Sequence, residues 1–220
     1  MASGVLKTMF IVAGISAAVP ATAAVVFTDT TGFTVRAMQV ATGTDFSPIP
    51  DVTAGFGGAL VPYTALGTFN CCGPNYGAPK MSDGAIGAGV ISDGLYGIPN
   101  AGRLTLDFGD VHLLDGIAIY NGYGNRDDGT YVLHTVEGAA LGTWTVFRTG
   151  GGTNYGTDSF WLEFNSTLIT AGLVLDTTSA DVANTNSYRQ IQVFAANVPE
   201  PLSITLLATG LIALAGRRRA

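Results

Sequence analysis

The chain has 220 residues, of which 12% are charged, and a formal net charge of −6. Residues 1–23 and 198–220 contain four of the 10 Lys and Arg residues and one of the 16 acids. Residues 24–197 therefore carry 6 basic and 15 acidic side chains, a net charge of −9. Such an acidic, sparsely charged body disfavours anionic lipid, and we expect no nucleic-acid partner, because both ligands are bound by clusters of Lys and Arg.

The N-terminus, residues 1–23, has the three parts of a secretory signal peptide. Lys7 is the basic residue, Met9–Val19 is the apolar core, and Ala21-Thr22-Ala23 is an A-x-A cleavage site. We therefore expect a signal helix that is removed, leaving a mature chain that starts near Ala24. A transmembrane helix is the alternative, but the apolar run is shorter than the roughly 20 residues that a span requires.

Short alternating segments, rather than helical repeats, follow the signal peptide. Val25–Phe27 and Phe33–Val40 are predicted strands. Residues 41–99 are irregular and contain several prolines; a structureless loop of that length is unusual in a compact domain, so we expect short edge strands within it. The 30 glycines, with many Thr, Asn, Ser and Asp, indicate frequent turns and favour an all-β fold.

Cys71 and Cys72, the only cysteines of the chain, are adjacent. An exported protein enters an oxidising compartment, where a pair of cysteines is expected to oxidise. Neighbouring Cα atoms are only about 3.8 Å apart, below the usual disulfide range, so a Cys71–Cys72 bridge would close a strained ring. The sequence leaves three outcomes open: this vicinal disulfide, two reduced thiols, or a bridge between two copies of the chain.

The clearest strands lie in the second half of the chain. Alternating apolar and polar residues predict strands over residues 103–108, 113–120, 130–136, 144–147, 160–164, 168–175 and 187–195. Turns are predicted at Gly109-Asp110, in the polar loop 121–129 and at Glu137-Gly138. About eight or nine strands without a helical period predict an antiparallel β-sandwich of two packed sheets over residues 24–197.

Six segments of this region share strand and turn patterns with a known family. They are Leu104–Gly109, Leu114–Asn121, Arg126–Leu133, Glu137-Gly138 with Trp144, Ile191–Phe194 as a closing strand, and Val90–Gly94 as an early Asp-Gly turn. Together they resemble the discoidin domain, also called the coagulation-factor type C domain, from about Ile86 to Ala195. The resemblance implies a galactose-binding-like jelly roll, which often binds sugars or surfaces without catalysis. The cysteines that often join the ends of that fold are missing here.

The same resemblance raises the question of a structural calcium ion. In related sugar-binding modules the ion lies between the early Asp-Gly turn and a carboxylate of the final strand. Here Asp93 matches the turn, but Gln190 stands where the carboxylate would be. An amide oxygen can ligate calcium, although one charge fewer weakens the site. Calcium at Asp93 and Gln190 is thus an open alternative, and we expect no other cofactor.

The polar loop 121–129 is the candidate for ligand contact. Tyr123 offers a ring that can stack on a sugar, and Asn125 and Arg126 offer hydrogen-bond donors. The resemblance also implies ligand binding by loops at one end of the sandwich. The alternative is that these residues only form a turn. A phosphate site is excluded, because the glycines of the loop precede a strand rather than a helix.

No catalytic residues are predicted. His112 and His134, the only histidines, lie on different strands without a nucleophile motif nearby, and we expect them to be structural. Asp127 and Asp128 are typical turn residues. Nothing in the spacing pairs two acids across a cleft, as a glycosidase would require. A small secreted hydrolase is therefore the least favoured alternative.

Residues 198–220 form a distinct C-terminal segment. Pro199-Glu200-Pro201 interrupts any preceding strand, an uncharged apolar run follows over Leu202–Gly216, and Arg217, Arg218 and Arg219 end it as the positive-inside rule expects. As a helix the run would be about 22 Å long, short of the roughly 30 Å hydrocarbon core, which fits a transient membrane segment. A permanent short anchor is the alternative.

This order of motif, short span and basic end resembles the PEP-CTERM sorting signal of Gram-negative bacteria. The resemblance implies an exosortase as a partner, processing at or near Pro199-Glu200-Pro201, and delivery to the cell surface or the extracellular polysaccharide matrix. We therefore predict an exported, non-catalytic protein that binds glycan or matrix polysaccharide. The alternative is a structural protein of a biofilm or floc matrix, without a specific ligand.

Overall fold

The computed structural model describes residues 23–40, 51–55, 58–68, 77–84, 86, 102–121, 128–148, 158–179 and 186–197. Its strands are β1 Ala23–Asp29, β2 Phe33–Gln39, β3 Thr64–Leu66, β4 Gly102–Asn121, β5 Gly129–Thr135, β6 Ala140–Arg148, β7 Ser159–Ser179 and β8 Tyr188–Ala195, and a 3₁₀ helix spans Ala78–Met81. Every pairing between these strands is antiparallel. The all-β prediction is confirmed for these residues. Within them, we find no helix with the length and apolar character of a membrane span.

β4 and β7, with 20 and 21 residues, pair with each other through two interruptions of register. In the first, which starts at Asp107, β4 advances five residues while β7 advances two. In the second, which starts at Leu114, β4 advances two residues and β7 five. A ladder of His112–Leu114 against Leu168–Thr170 joins the two. Because extra residues bend a strand, β4 and β7 fold over together at this ladder.

This bend corrects two predictions from the sequence. A turn was expected at Gly109-Asp110 between separate strands, and separate strands were expected over 160–164 and 168–175. Gly109 does adopt a left-handed backbone, with a φ of 77°. The chain nevertheless stays within β4, because β7 pairs with it on both sides of this residue. The local turn signal is real, but the strand ends that it predicted are wrong.

The fold-over brings both termini of β4 to one end of the domain. Gly102 donates its amide to Thr177 Oγ1 at 3.2 Å, and Asn186 Nδ2 donates to the same oxygen at 2.6 Å. Asn186 leads into β8, whose Tyr188 pairs with Asn121 at the other terminus of β4. We call this the open end, and the opposite end, at the β4–β7 ladder, the bend end.

The bend divides the sheet into two layers with one core between them. Layer A contains β1, β6, β5, β3 and the parts of β4 and β7 around the Gly102–Thr177 pair; layer B contains β2, β8 and the other parts of β4 and β7. Side chains from both layers fill the core, among them Phe33, Leu104, Leu106, Ile117, Ile119, Tyr131, Leu133, Trp144, Phe160, Leu162, Leu173, Leu175, Ile191 and Val193. The predicted sandwich is therefore present, with its layers continuous through the bend.

The outer face of layer B is also buried, under the segment around Asp51. Tyr120 donates its hydroxyl to Asp51 Oδ1 at 2.9 Å, and Thr53 donates its amide and its hydroxyl to that oxygen at 2.8 and 2.6 Å. Burial acts to raise the pKa of Asp51, but these hydrogen bonds outweigh it and hold the pKa below its ordinary value. Val52 and Trp161 join the same buried cluster. A short irregular segment thus covers this face.

The described part of region 41–99 contains short edge pairings, as expected. β3 pairs with β4, and Leu60 forms an isolated bridge with Phe194 of β8. Val61 donates its amide to Val193 O at 2.8 Å. The backbone ladder does not continue beyond Pro62, and Ile191 O of β8 instead accepts a hydrogen bond from the hydroxyl of Tyr63. The edge of β8 is therefore only partly covered by a backbone partner.

Gly116 is packed too tightly to accept a side chain. An added Cβ would lie 2.5 Å from Leu162 O and 2.8 Å from the ring of Trp161. We expect Gly116→Ala to lower the free energy of unfolding by about 1–3 kcal/mol, because backbone and indole must both shift. Gly58→Ala is the matched control, since its nearest neighbours would be 3.4 Å away. Urea unfolding measures both variants, and equal stabilities would contradict the packing described.

Candidate functional site

Buried polar side chains are concentrated at the open end. They include Asn121, Asp158, Ser159, Thr177, Asn186, Ser187, Arg189 and Gln190. Some form a chain of hydrogen bonds: Tyr131 donates its hydroxyl to Asn186 Oδ1 at 3.3 Å, and Asn186 in turn donates to Thr177. Burying polar groups is unfavourable unless they are paired. Their concentration here marks the open end as the part of the domain built around polar contacts.

Several of these polar atoms have no hydrogen-bond partner among the described residues. They are both amide atoms of Asn121, Ser159 Oγ and Gln190 Oε1. The backbone brings Asn121 beside the start of β7, because Asn121 N donates to Asp158 O at 2.9 Å immediately before Ser159. An unpaired buried group costs about 1–3 kcal/mol, so each is a point at which a further polar group can bind favourably.

A cavity of about 350 Å³ lies along the edge of β8. Its walls are formed by Leu60, Val61, Pro62, Tyr63, Ser82, Gly84, Gln190, Ile191, Gln192 and Val193. It starts where Pro62 ends the backbone ladder beside β8. Its volume falls within the range of about 300–1,000 Å³ that is usual for small-ligand pockets.

Tyr63 joins the walls of this cavity. Its hydroxyl lies 2.7 Å from Met81 O and 2.9 Å from Ile191 O, and its one hydrogen is shared between these two carbonyl acceptors. Burial, with a smaller contribution from the charge of Asp83, raises the pKa of Tyr63. The hydroxyl therefore stays protonated and links the 3₁₀ helix to β8 at all ordinary pH values.

Gln190 and Gln192 are polar side chains of β8 among the walls of the cavity. They are two residues apart on β8, so their side chains lie on the same side of the strand. Each has a buried Oε1 without a hydrogen-bond partner in the described part of the chain. An amide oxygen accepts hydrogen bonds, and Leu60 and Val61 add an apolar wall. A neutral ligand with hydroxyl groups on an apolar frame is complementary to this combination.

A second cluster of polar side chains lies on layer A. Arg103 and Asp176 are register partners joined by two hydrogen bonds of 2.9 and 2.8 Å, and His134 Nε2 lies 2.7 Å from Asp176 Oδ2. The hydrogen bond from Arg103 and, to a lesser extent, that from His134 hold the pKa of Asp176 at about 2, although burial opposes them. Contacts of this kind across neighbouring strands stabilise a sheet.

His112 and two acidic residues of the long strands have local partners. His112 meets Phe108 edge-on, with ring centroids 5.8 Å apart. Asp107 Oδ1 accepts the amide of Gly109 at 2.9 Å, which is a turn contact. Glu163 forms an ion pair with an arginine of β2 at 2.7 Å. These contacts give each side chain a role in the sheet or its turns.

The predicted sugar-contact residues Tyr123, Asn125 and Arg126 lie outside the described residues. The residues that flank them, Asn121 and Asp128, are at the open end. Also outside the described residues are the signal segment 1–22, the cysteine pair, the early Asp-Gly turn and the C-terminal segment, and with them Cys71, Cys72, Asp93, Pro199, Glu200, Pro201, Arg217, Arg218 and Arg219. These assignments stay predictions.

Gln190 is the member of the predicted calcium pair that the structure describes. Its Oε1 is buried and unpaired within the described chain, as a free ligand atom would be. No group of three or more His, Cys, Asp or Glu in the described ranges could hold a metal ion. One neutral amide oxygen does not make a calcium site, which takes six to eight oxygen ligands. Calcium at Asp93 and Gln190 therefore stays a prediction.

Sequence reasoning missed the cavity. Tyr63, Ser82 and Gln192 come from three separate segments, and Tyr63 and Ile191 are 128 residues apart. The one local signal is the pair of glutamines that alternate with Ile191 and Val193 in β8, because buried polar side chains are normally hydrogen-bonded. That signal indicates a polar contact but not which segments provide it.

Comparisons with known proteins give distant likenesses. No protein-family model matches the sequence, and no curated protein matches it. Among solved structures, a fucose-binding module from Streptococcus pneumoniae is 9% identical, with a TM-score of 0.44 over 63% of this chain and 99% of that chain. A family 32 carbohydrate-binding module from C. perfringens NanJ, in complex with galactose, is 17% identical, with a TM-score of 0.41 over 61% and 97%.

The lectin domain of lectinolysin, complexed with Lewis b antigen, is 15% identical to this chain. Its TM-score is 0.41 over 61% of this chain and 92% of that domain. The names of these three neighbours describe sugar-binding proteins. At such identities and TM-scores, the function of this chain has to be argued from its own residues.

The carboxylates of Asp176 and Glu137 should make stability depend on pH. Hydrogen bonds, first from Thr170, lower the pKa of Glu137 from 4.5 to about 2, and those from Arg103 lower the pKa of Asp176 from 3.8 to about 2. The unfolded chain therefore binds more protons than the folded chain between about pH 5 and pH 2, so stability rises with pH across this window. Above it, their contribution is constant.

Asp176→Asn should make this pH dependence shallower. The variant loses the charged partner of Arg103 and His134, so we expect a lower melting temperature at pH 7 and a smaller difference from the parent chain at pH 2. Asp110→Asn, at an exposed residue of the bend, is the control. Thermal unfolding at several pH values tests this, and parallel curves for parent and Asp176→Asn would contradict it.

Proposed function

We propose that this chain is an exported, non-catalytic protein that binds carbohydrate in the cavity along β8. The observation that supports this most directly is that Gln190 and Gln192, whose amide oxygens have no hydrogen-bond partner in the described chain, line one cavity together with an apolar wall. A sugar ring carries hydroxyl donors around its rim and C–H groups on its faces. It therefore matches both surfaces at once, whereas a purely apolar ligand would leave the two oxygens unpaired.

The cavity meets the open end at Gln190, so a bound glycan can extend across that end. The predicted loop with Tyr123, Asn125 and Arg126 joins the sandwich there and would add ring stacking and hydrogen-bond donors. A galactose-binding-like jelly roll, suggested by the discoidin resemblance, is part of this proposal. So are export, processing by an exosortase at Pro199-Glu200-Pro201, and delivery to the surface or the extracellular polysaccharide.

Replacing the two acceptors should weaken binding while preserving the fold. We expect Gln192→Leu to reduce affinity about tenfold, because the loss of one ligand hydrogen bond costs roughly 1–1.5 kcal/mol. Gln190→Leu should act in the same direction. Gln39→Leu, at an exposed residue of β2, is the matched control and should bind as the parent does. Retention on a glycan array, followed by calorimetry with the retained sugar, measures the change.

The same array distinguishes the cavity from the predicted loop. If Tyr123→Ala and Arg126→Ala abolish binding to the array while both glutamine variants still bind, carbohydrate binds at the loop instead of the cavity. If the parent chain is retained on no glycan, including the polysaccharide of its own producer, the binding function is wrong. A structural matrix protein would then be the better account.

The mature protein should lack both sequence ends. We expect mass spectrometry of protein released from the producing cells to find an N-terminus near Ala24 and a C-terminus at or near Pro199-Glu200-Pro201. The same spectrum shows whether Cys71 and Cys72 have lost two hydrogens as a disulfide. Intact chains of 220 residues in the cytosol would contradict the export proposal.

A further inference from the structure

Three aliphatic side chains form an exposed patch at the bend end. Val111, Leu113 and Ile169 are 65%, 40% and 64% exposed. Leu113 and Ile169 are register partners in the short β4–β7 ladder. Val111 precedes Leu113 by two residues on the same strand, and hence lies on the same side. We call these three residues the bend patch.

The alternation of the ladder explains why these residues are outside. Their neighbours Leu114 and Leu168 point inward: Leu114 is fully buried, and Leu168 packs against the main core. The same register that buries one pair of leucines therefore exposes Leu113 and Ile169. Isolated exposed aliphatics are common, but three together at the end of a sandwich form a surface suited to an apolar partner.

The chain leaves the domain beside this patch. Ala196 donates its amide to Leu113 O at 2.8 Å, and Asn197 is the last residue that the structure describes. In the sequence only Val198–Pro201 separate it from the apolar run Leu202–Gly216. Four residues reach at most about 14 Å. Whenever that run is in a bilayer, the bend patch is held close to the membrane surface.

The other terminus of the body is at the opposite end. Ala23 pairs with Arg148 at one end of the β1–β6 ladder, and Asp29 at the other end of β1 leads into the turn beside Asn165 at the bend. β1 therefore begins at the open end. Once the signal peptide is removed near Ala24, the C-terminal segment would be the one attachment, and the open end would face away from the membrane.

The charges around the patch select the kind of membrane surface. Asp107, Asp110 and Asp115 lie on β4 next to it, the first two of them exposed. Carboxylates repel anionic headgroups, whose binding needs basic clusters. The partner that fits an apolar patch with an acidic rim is thus a bilayer of neutral, zwitterionic lipids.

We propose that the bend patch rests on a zwitterionic bilayer surface while the C-terminal segment is inserted, which directs the cavity and the open end outward. This inference depends on the membrane segment of the proposed function. It assigns an orientation: the sugar-binding part of the domain faces the surrounding polysaccharide, and Val111, Leu113 and Ile169 contact the interface.

The test reconstitutes the full chain with phosphatidylcholine vesicles in two separate samples. The vesicles of one sample contain brominated lipid, which quenches tryptophan fluorescence. Val111→Trp places a reporter in the patch. Leu66→Trp is the matched control, because Leu66 is an aliphatic residue of β3 that is 47% exposed. The native Trp144 and Trp161 are 0% and 4% exposed, so they are shielded from the brominated lipid and add the same unquenched emission to both variants. We expect at least twofold stronger quenching at position 111 than at position 66.

Separate results would contradict the contact of the patch and the membrane segment. Chains that float with the vesicles but show equal quenching, or none, at the two positions would overturn the contact and leave the membrane segment intact. Chains that do not float would overturn both the membrane segment and the orientation. A blue-shifted emission of the Val111→Trp chain without vesicles would show that the C-terminal segment or a second copy covers the patch, and would also overturn it.

Discussion

The unbroken pairing of β4 with β7 through the bend is the interaction on which the rest of this structure depends. Each strand passes from one layer to the other, and because their extra residues fall at different points, three residue pairs remain hydrogen-bonded at the turn itself. The two layers are therefore tied together at one end by backbone hydrogen bonds, and Leu114 and Leu168 begin the core there. Every other strand of the described residues pairs directly with β4 or β7, except β6 and β1, which are joined to β7 through β5.

The unequal cover of β8 explains where a ligand can enter. An edge strand presents unpaired backbone groups, which proteins usually cover. Here residues 59–61 cover the bend half of β8, but Pro62 ends that ladder, and the side chain of Tyr63 makes the next contact with β8 instead. A side chain needs more room than a backbone ladder, and the space between them is the cavity. The polar residues of β8 lie along this gap rather than along the covered half.

The two ends of the domain have opposite physical character. The open end gathers buried amides, hydroxyls and two buried charged residues, Arg189 and Asp158, together with the flanks of the predicted sugar loop. The bend end exposes aliphatic residues on a ladder from which the chain departs. Such polarity along one axis is what a tethered binding protein would need, since one end must meet a polar, hydrated ligand and the other an anchoring surface.

The sequence by itself determined the all-β class, the sandwich, the short edge pairings and most strand positions, because alternation and turn residues act over a few neighbours. It also predicts the two terminal segments, which rest on compositional signals. The tertiary structure decided what depends on distant contacts: that Gly109 bends a strand rather than ending it, because β7 continues to pair beside it, and that Gln190 and Gln192 share a cavity with Tyr63. Register and enclosure come from segments far apart in the chain, such as Gly102 with Thr177 and Tyr63 with Ile191, and no local pattern encodes which of them will meet.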